Sequence, residues 1–153
     1  MNNFTFGDDI YQYYETIAGG SGALSAHDGT PVIQTHMTNS RLTDPEIFET
    51  RFPVVLEEFS IRRGSGGAGA WKGGDGGTRR VRFLADMTAC ILANRRRVPP
   101  FGLSGGADGE VGATRVERTD GSIERLGSTA KVDMQAGDVF VIDTPGGGGF
   151  GEA

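Results

Sequence analysis

Cysteine occurs once in the chain, at Cys90, and histidine only twice, at His27 and His36. A single thiol excludes an intrachain disulfide framework, and its place in the mostly apolar run Met87 to Ala93 predicts a buried thiol. Two separated histidines give no metal-ligand spacing of their own. No apolar run approaches the roughly 18 residues of a membrane span, and no targeting segment is legible, so a cytoplasmic location without membrane attachment is expected. Basic charge is also short. The net charge of −5 leaves no electrostatic footprint for nucleic acid, and the one dense basic run, Arg95-Arg96-Arg97, reads as a solvated strand end. The chain has no G-x-x-x-x-G-K-[ST] phosphate loop. Gly64-Ser65-Gly66-Gly67-Ala68-Gly69 satisfies G-x-G-x-x-G on paper, but Trp71-Lys72-Gly73-Gly74-Asp75 follows where the nucleotide site would need a helix. A Rossmann site is thereby excluded.

Glycine is what the chain has in quantity. Twenty-six glycines in 153 residues exceed the average usage of about 7% and call for tight turns and close backbone approaches, not long helices. Eight of them fall between residues 64 and 77, predicting an extended loop packed closely against another surface. Four stand together in Thr144-Pro145-Gly146-Gly147-Gly148-Gly149-Phe150-Gly151, which could line a ligand-facing or subunit-facing surface or trail as a flexible tail. A hydrophobic share of 37% in strand-like blocks argues against disorder, and a chain of this length supports one core burying roughly 68–70% of its unfolded surface.

The local patterns are mainly β. Phe4 and Phe6 alternate in a brief strand over Met1 to Gly7, and Ile10 to Ile17 reads as a helical turn or an irregular strand. Val54 to Arg63 is the strongest strand, with Leu56, Phe59 and Ile61 at expected buried positions and a bulge around Glu57-Glu58. Arg80 to Leu84 alternates, Asp86 marks a turn, and Met87 to Ala93 follows. Thr114 to Arg118 and Ser122 to Leu126 flank Asp120-Gly121, a hairpin signal. Lys131 to Met134 and Val139 to Asp143 complete the set. The expected class is mainly β with short helices (α+β), with a C-terminal β-barrel or sandwich-like region and Gly-rich loops. Residues 1–53 form a candidate site region with a short helix, and residues 54–153 a β-rich region.

Polar chemistry concentrates in Thr35-His36-Met37-Thr38-Asn39-Ser40-Arg41-Leu42-Thr43-Asp44-Pro45-Glu46. Asp44 as N-cap with Pro45 at N1, or Thr43 capping with Glu46, starts a helix that Pro53 stops. Phe48 and Phe52 then face a core and Glu49 faces away. Arg41 beside the helix start could hold a carboxylate or phosphate, or could pair with Glu46 or Glu49 as an ordinary helix-end salt bridge. Thr38 and Asn39 add neutral donors and acceptors. His36 could act as a general base or metal ligand, or be a hydrogen-bonded structural residue. Glu15 is a second acid/base candidate, with a surface or salt-bridged carboxylate as its alternative. His27, beside Asp28-Gly29, reads as solvent-facing.

The segment Thr35 to Arg51 resembles the hydantoinase B/5-oxoprolinase family. So do the segments Tyr13-Tyr14-Glu15-Thr16-Ile17-Ala18-Gly19-Gly20 before it and Arg62 to Gly69 after it. The resemblance continues through Pro100-Phe101-Gly102-Leu103-Ser104-Gly105-Gly106, Gly137-Asp138-Val139-Phe140 and Thr144 to Gly151, with wording nearest the 5-oxoprolinase branch. It implies the C-terminal portion of a longer B-type subunit, made by a split gene, a late start or a truncated gene model. It further implies ATP-dependent hydrolysis of 5-oxoproline or a hydantoin, as in glutathione metabolism, through phosphorylation of the amide oxygen. ATP and Mg would then sit on an A-type partner subunit, the upstream B portion would be a second partner, and a further divalent metal would have no assignable ligands here. By carry-over, His36 and Glu15 are the catalytic candidates, and Thr38, Asn39, Arg41, Gly19 and Gly20 the substrate-binding ones. An isolated chain is expected to be inactive, and a non-catalytic β-rich assembly module or remnant is the alternative.

Overall fold

The computed structural model describes residues 1–35 and 38–152. Nine strands and one helix follow in the order β1 (Asn2–Gly7), β2 (Gln12–Ile17), α1 (Pro45–Arg51), β3 (Val54–Arg62), β4 (Gly76–Phe83), β5 (Met87–Ala93), β6 (Ala113–Glu117), β7 (Ile123–Leu126), β8 (Thr129–Met134) and β9 (Val139–Asp143). They form two antiparallel sheets, a four-stranded one ordered β2-β1-β5-β8 and a five-stranded one ordered β3-β4-β9-β6-β7. The sheets face each other across one core, as a sandwich. Phe4 of β1 stacks on Phe140 of β9 at 4.8 Å between ring centroids, and Phe6 meets Phe83 of β4 edge-on at 5.3 Å. The period-2 alternation of apolar residues on β1, β4 and β5 puts Phe4, Phe6, Val81, Phe83, Ala89 and Ile91 inward, where each is buried.

The helix begins as its cap chemistry dictates. Asp44 is the N-cap, its carboxylate accepting from the Glu46 N–H at 2.9 Å, with Pro45 in the first turn. Phe48 is fully buried and Phe52 partly so, and both rings pack on Tyr13 and Phe6 at the end of the sandwich. Glu49 faces outward, its carboxylate accepting the Leu56 N–H and tying the helix to β3. The expected bulge is present as a register shift between Leu56 and Glu58, and the Asp120-Gly121 hairpin joins β6 to β7, with Gly121 at φ +84°.

Four sequence expectations are corrected. Phe59 and Ile61 are exposed, because beyond the bulge β3 runs as an edge strand past the rim of the core. Asp86 stands at the turn between β4 and β5, as expected. It lies where the chain crosses from β4 in one sheet to β5 in the other, its carboxylate accepting the Ala136 N–H. Cys90 is only half-buried, since the β5 alternation turns it to the outer face. Of the run Arg95-Arg96-Arg97 only Arg97 is exposed; Arg96 is half-buried, donating to Asn2 Oδ1 at 3.0 Å and to Thr114 Oγ1, and burial pulls its pKa down to about 10. The four consecutive glycines line no surface, because all are buried.

Those glycines form the axis of a second, non-sheet core. Pro145 and Gly148 accept from the Gly20 and Ala23 N–H groups, and Gly146 and Gly149 donate to Glu110 and Ala107. Gly147 donates to Gly74 and accepts from Gly67, while the Gly149 carbonyl accepts from Leu103. Successive residues thus bond to different neighbours, and the same neighbour returns every third residue. That is the signature of an extended helix with three residues per turn and no internal hydrogen bonds. A Cβ at Gly146, Gly147, Gly148 or Gly149 would land on the backbone of Ser65, Ser21, Phe101 or Ala68 in turn. Only glycine fits an axis crowded on every side, for the reason it is obligatory in collagen. The 64–77 segment supplies part of this sheath, as its glycines predict, and no helix follows Gly69.

Candidate functional site

Where β2 ends and the chain loops toward the helix, an open cleft of about 580 Å³ is lined by Tyr14, Glu15 and Thr16 on one side and by Thr38, Asn39, Ser40, Arg41 and Thr43 on the other, with Met1 at its edge. The loop is tied at its near end: the Gln34 side chain donates to the Thr16 carbonyl at 2.7 Å, and the Ile33 N–H to the Gly19 carbonyl. Its far end is fixed by the Asp44 cap. Glu15, Thr38, Asn39 and Arg41 are thereby brought together, although residue 15 lies far from the others in sequence. Gly19 and Gly20 are not among the lining residues. They lie in the glycine core, against Pro145 and Gly74. His36 lies outside the described residues. His27 is exposed, as read from the sequence.

Beneath the cleft is an ion pair that spans the two sheets. Glu15 on β2 and Arg79 on β4 both point inward, and both are nearly inaccessible, at 6% and 1% exposure. Arg79 donates from Nε to Glu15 Oε1 at 2.6 Å and from Nη2 to Oε2 at 3.0 Å, a bidentate fork that fixes the carboxylate plane. The Tyr13 hydroxyl donates to Glu15 Oε2 at 2.8 Å and lies 3.0 Å from Thr43 Oγ1, linking the pair to the loop. The guanidinium is stacked between the Phe48 and Phe59 rings, at 5.5 and 5.4 Å from their centroids. Burial, opposed by the Thr43 hydrogen bond and reinforced by the Glu15 charge, pushes the Tyr13 phenol up to about 12. A second depression, of about 490 Å³, opens on the far side of Thr43 and Arg79 and is edged by Asp44, Glu57 and Glu58.

Chemically, the cleft offers one fixed carboxylate, one exposed guanidinium at Arg41, and a row of hydroxyl and amide groups. That set can hold a small polar molecule carrying a carboxylate or carbonyl and can orient a proton or water beside it. Among the described residues, no three His, Cys, Asp or Glu side chains gather closely enough to hold a metal ion. The glycine segments run on as extended chain without a helix to receive a phosphate. Among the described residues no helix is long and apolar enough to cross a membrane.

The local density of polar residues takes in Thr43 but gives no sign of Arg79 or Tyr13. A different signal was present for these two. Stepping the β4 alternation back from Phe83 and Val81 puts Arg79 on the buried face, and stepping β2 back from Ile17 puts Glu15 and Tyr13 there.

Comparison with known proteins agrees with the fold and extends it. The profile of the hydantoinase B/oxoprolinase family matches residues 1–153. The chain is 49% identical over 152 residues to 5-oxoprolinase of Dictyostelium discoideum and 50% identical over 151 residues to 5-oxoprolinase 1 of Arabidopsis thaliana, covering 99% of this chain and 12% of each relative. It therefore spans about an eighth of the length of these relatives. Among solved structures, the ATP-dependent caprolactamase from Pseudomonas jessenii superposes with a TM-score of 0.79 at 25% identity, over 98% of this chain and 28% of that one. The nucleotide-free acetone carboxylase shares the fold alone, with a TM-score of 0.67 at 19% identity. With its whole length matched, this chain belongs to the hydantoinase B/oxoprolinase family.

Proposed function

We propose that this chain is the C-terminal portion of the B-type component of an ATP-dependent cyclic amide hydrolase of the 5-oxoprolinase or N-methylhydantoinase type. It works together with an upstream B portion and an A-type, ATP-binding partner. The observation that carries the reading is the near-50% identity to 5-oxoprolinases over 99% of the chain. In this reading ATP and Mg are bound by the partner, where phosphorylation of the amide oxygen would make the amide carbon an electrophile that water can attack, with the ring nitrogen leaving as the amine and the phosphoryl group released as phosphate; this chain's residues do the positioning. Arg41, with Thr38 and Asn39, holds the anionic or carbonyl group of the substrate. Glu15, its plane fixed by Arg79 and its Oε2 held by Tyr13, orients a water or proton at the cleft wall, with His36 as the alternative proton carrier.

The test is reconstitution. ATP-dependent hydrolysis of 5-oxoproline, followed as phosphate and glutamate, is expected only when this chain, the upstream B portion and the A-type partner are combined. In the assembled enzyme, the double variant His36→Ala/Arg41→Ala is expected to lose turnover; unchanged turnover would overturn the assignment of these residues. One observation favours a second reading, a non-catalytic assembly module: both oxygens of Glu15 are already engaged by Arg79 and Tyr13, as in a purely structural pair. Co-purification of all components without turnover on 5-oxoproline or hydantoins would favour it.

A further inference from the structure

The two outer faces of the sandwich differ in a way that the hydrolase reading leaves unexplained. On the five-stranded sheet the outward side chains form a continuous ladder of ion pairs: Arg82 with Glu57, Arg80 with Glu117 at 2.8 Å, and Arg115 with Glu117 at 3.0 Å and Asp143 at 2.8 Å. Charges so paired and hydrated suit a face turned to water. On the four-stranded sheet the register aligns three outward rows across the strands. These are Gln12–Gly7–Thr88–Asp133, Tyr14–Thr5–Cys90–Lys131 and Thr16–Asn3–Leu92–Thr129. Of these twelve positions only Asp133 and Lys131 are charged, and both lie on the edge strand β8. The uncharged part carries Tyr14 at 60% exposure and Leu92 at 56%, two large side chains left open on an otherwise flat surface of short polar groups. Depletion of charge with an exposed tyrosine and leucine is the composition of an interface core, not of a free surface.

We infer that this face docks another polypeptide surface of matching chemistry, uncharged and hydrogen-bonding, carried by the upstream portion of the same B-type component. This rests on the reading that such a portion exists for this chain. Two observations select that occupant. The matched relatives place 88% of their length outside the part that corresponds to this chain, so a large polypeptide must be accommodated around it. The face is also continuous with the candidate site, because Tyr14 and Thr16 belong both to its rows and to the wall of the cleft. A segment seated there would roof the cleft from the β2 side, which explains why the cleft is open in this chain alone. An acidic or nucleic-acid partner finds no basic group on β1, β2 or β5 of this face to pair with.

Cys90, the chain's only cysteine, stands in the middle row and reports on the face without modification of the protein. The experiment mixes this chain with the upstream portion of a full-length 5-oxoprolinase and follows maleimide labelling of the thiol, alongside size-exclusion elution. Docking on this face is expected to slow Cys90 labelling at least about tenfold, since an interface core excludes solvent and reagent. A Cys90→Ala/Arg125→Cys variant, with its thiol on the charged face, should label at an unchanged rate. Leu92→Lys and Thr5→Arg should each abolish co-elution, and thermal unfolding of each variant alone verifies that it has folded. Co-elution with undiminished Cys90 labelling would overturn the inference, as would protection of the Arg125→Cys thiol or failure of the two to associate. A dimer of this chain alone with Cys90 protected would also overturn it, in favour of a second copy. Association with Cys90 protected but no turnover of 5-oxoproline or a hydantoin once the A-type partner and ATP are added would leave this inference standing and end the hydrolase reading instead.

Discussion

Replacing Arg79 by methionine tests whether the Glu15–Arg79 pair is the buried hub the geometry describes. The substitution keeps the length and apolar stem of the side chain, and with it much of the packing between Phe48 and Phe59, but removes both donors to a carboxylate that is only 6% exposed. Glu15 would retain the Tyr13 hydroxyl alone. Breaking a buried pair by removing one partner costs about 3–5 kcal/mol, because the other charge is left desolvated and uncompensated. Against a typical domain stability of roughly 5–15 kcal/mol this is a large fraction. At about 2–4 °C per kcal/mol for a domain of this size, the midpoint of thermal unfolding should fall by roughly 6–20 °C. The double variant Glu15→Leu/Arg79→Met removes both charges and should recover most of the loss, because the penalty lies in the orphaned ion and not in the missing attraction. Thermal and urea unfolding of the full chain, followed by circular dichroism, measure both. A single variant that loses no more than about 1 kcal/mol, the worth of an exposed pair, would refute the reasoning, and so would a double variant less stable than the single one.

Three further outcomes are expected. Because the folded-state pKa of Tyr13 is raised to about 12 from its ordinary 10, its contribution to stability is complete below pH 10 and is lost as pH rises through 12; Tyr13→Phe should flatten that decline in an alkaline unfolding series. Gly147→Ala should prevent stable folding, since the added methyl would lie within the Ser21 backbone, whereas Gly22→Ala, whose methyl meets only the Gly148 carbonyl at 3.8 Å, should change stability by less than about 1 kcal/mol; expression yield and unfolding midpoints separate the two. Asp44→Ala removes the acceptor for the Glu46 N–H and should cost about 0.5–2 kcal/mol, while Asp44→Ser should restore most of it in the same unfolding assay.

The sequence by itself determined the features that short stretches of backbone encode. Asp44-Pro45 and Pro53 bound the helix because capping geometry and the missing proline donor act within a turn. Asp120-Gly121 placed a hairpin because only a residue free to take φ +84° fits that turn. The limits of β5 and β9 followed from runs of apolar residues, and the excess of glycine announced close backbone packing. The density of polar groups from Thr35 to Glu46 located one wall of the cleft. What only the tertiary structure decided is how distant segments meet. Glu15 and Arg79, 64 positions apart, become a pair because β2 and β4 lie in opposite sheets with those residues inward, and pairing across a sandwich leaves no mark at either position alone. Cys90 and Phe59 were misjudged for the same reason: an apolar run reveals a strand, but which of its faces is covered depends on the sheet that lands against it. The four glycines following Pro145 could have been a tail, and they are an axis because segments beginning at residues 19, 65, 73, 100 and 106 converge on them. Hydrogen bonds that leave one chain in several directions are completed only by partners that the fold, and not the local sequence, brings within reach.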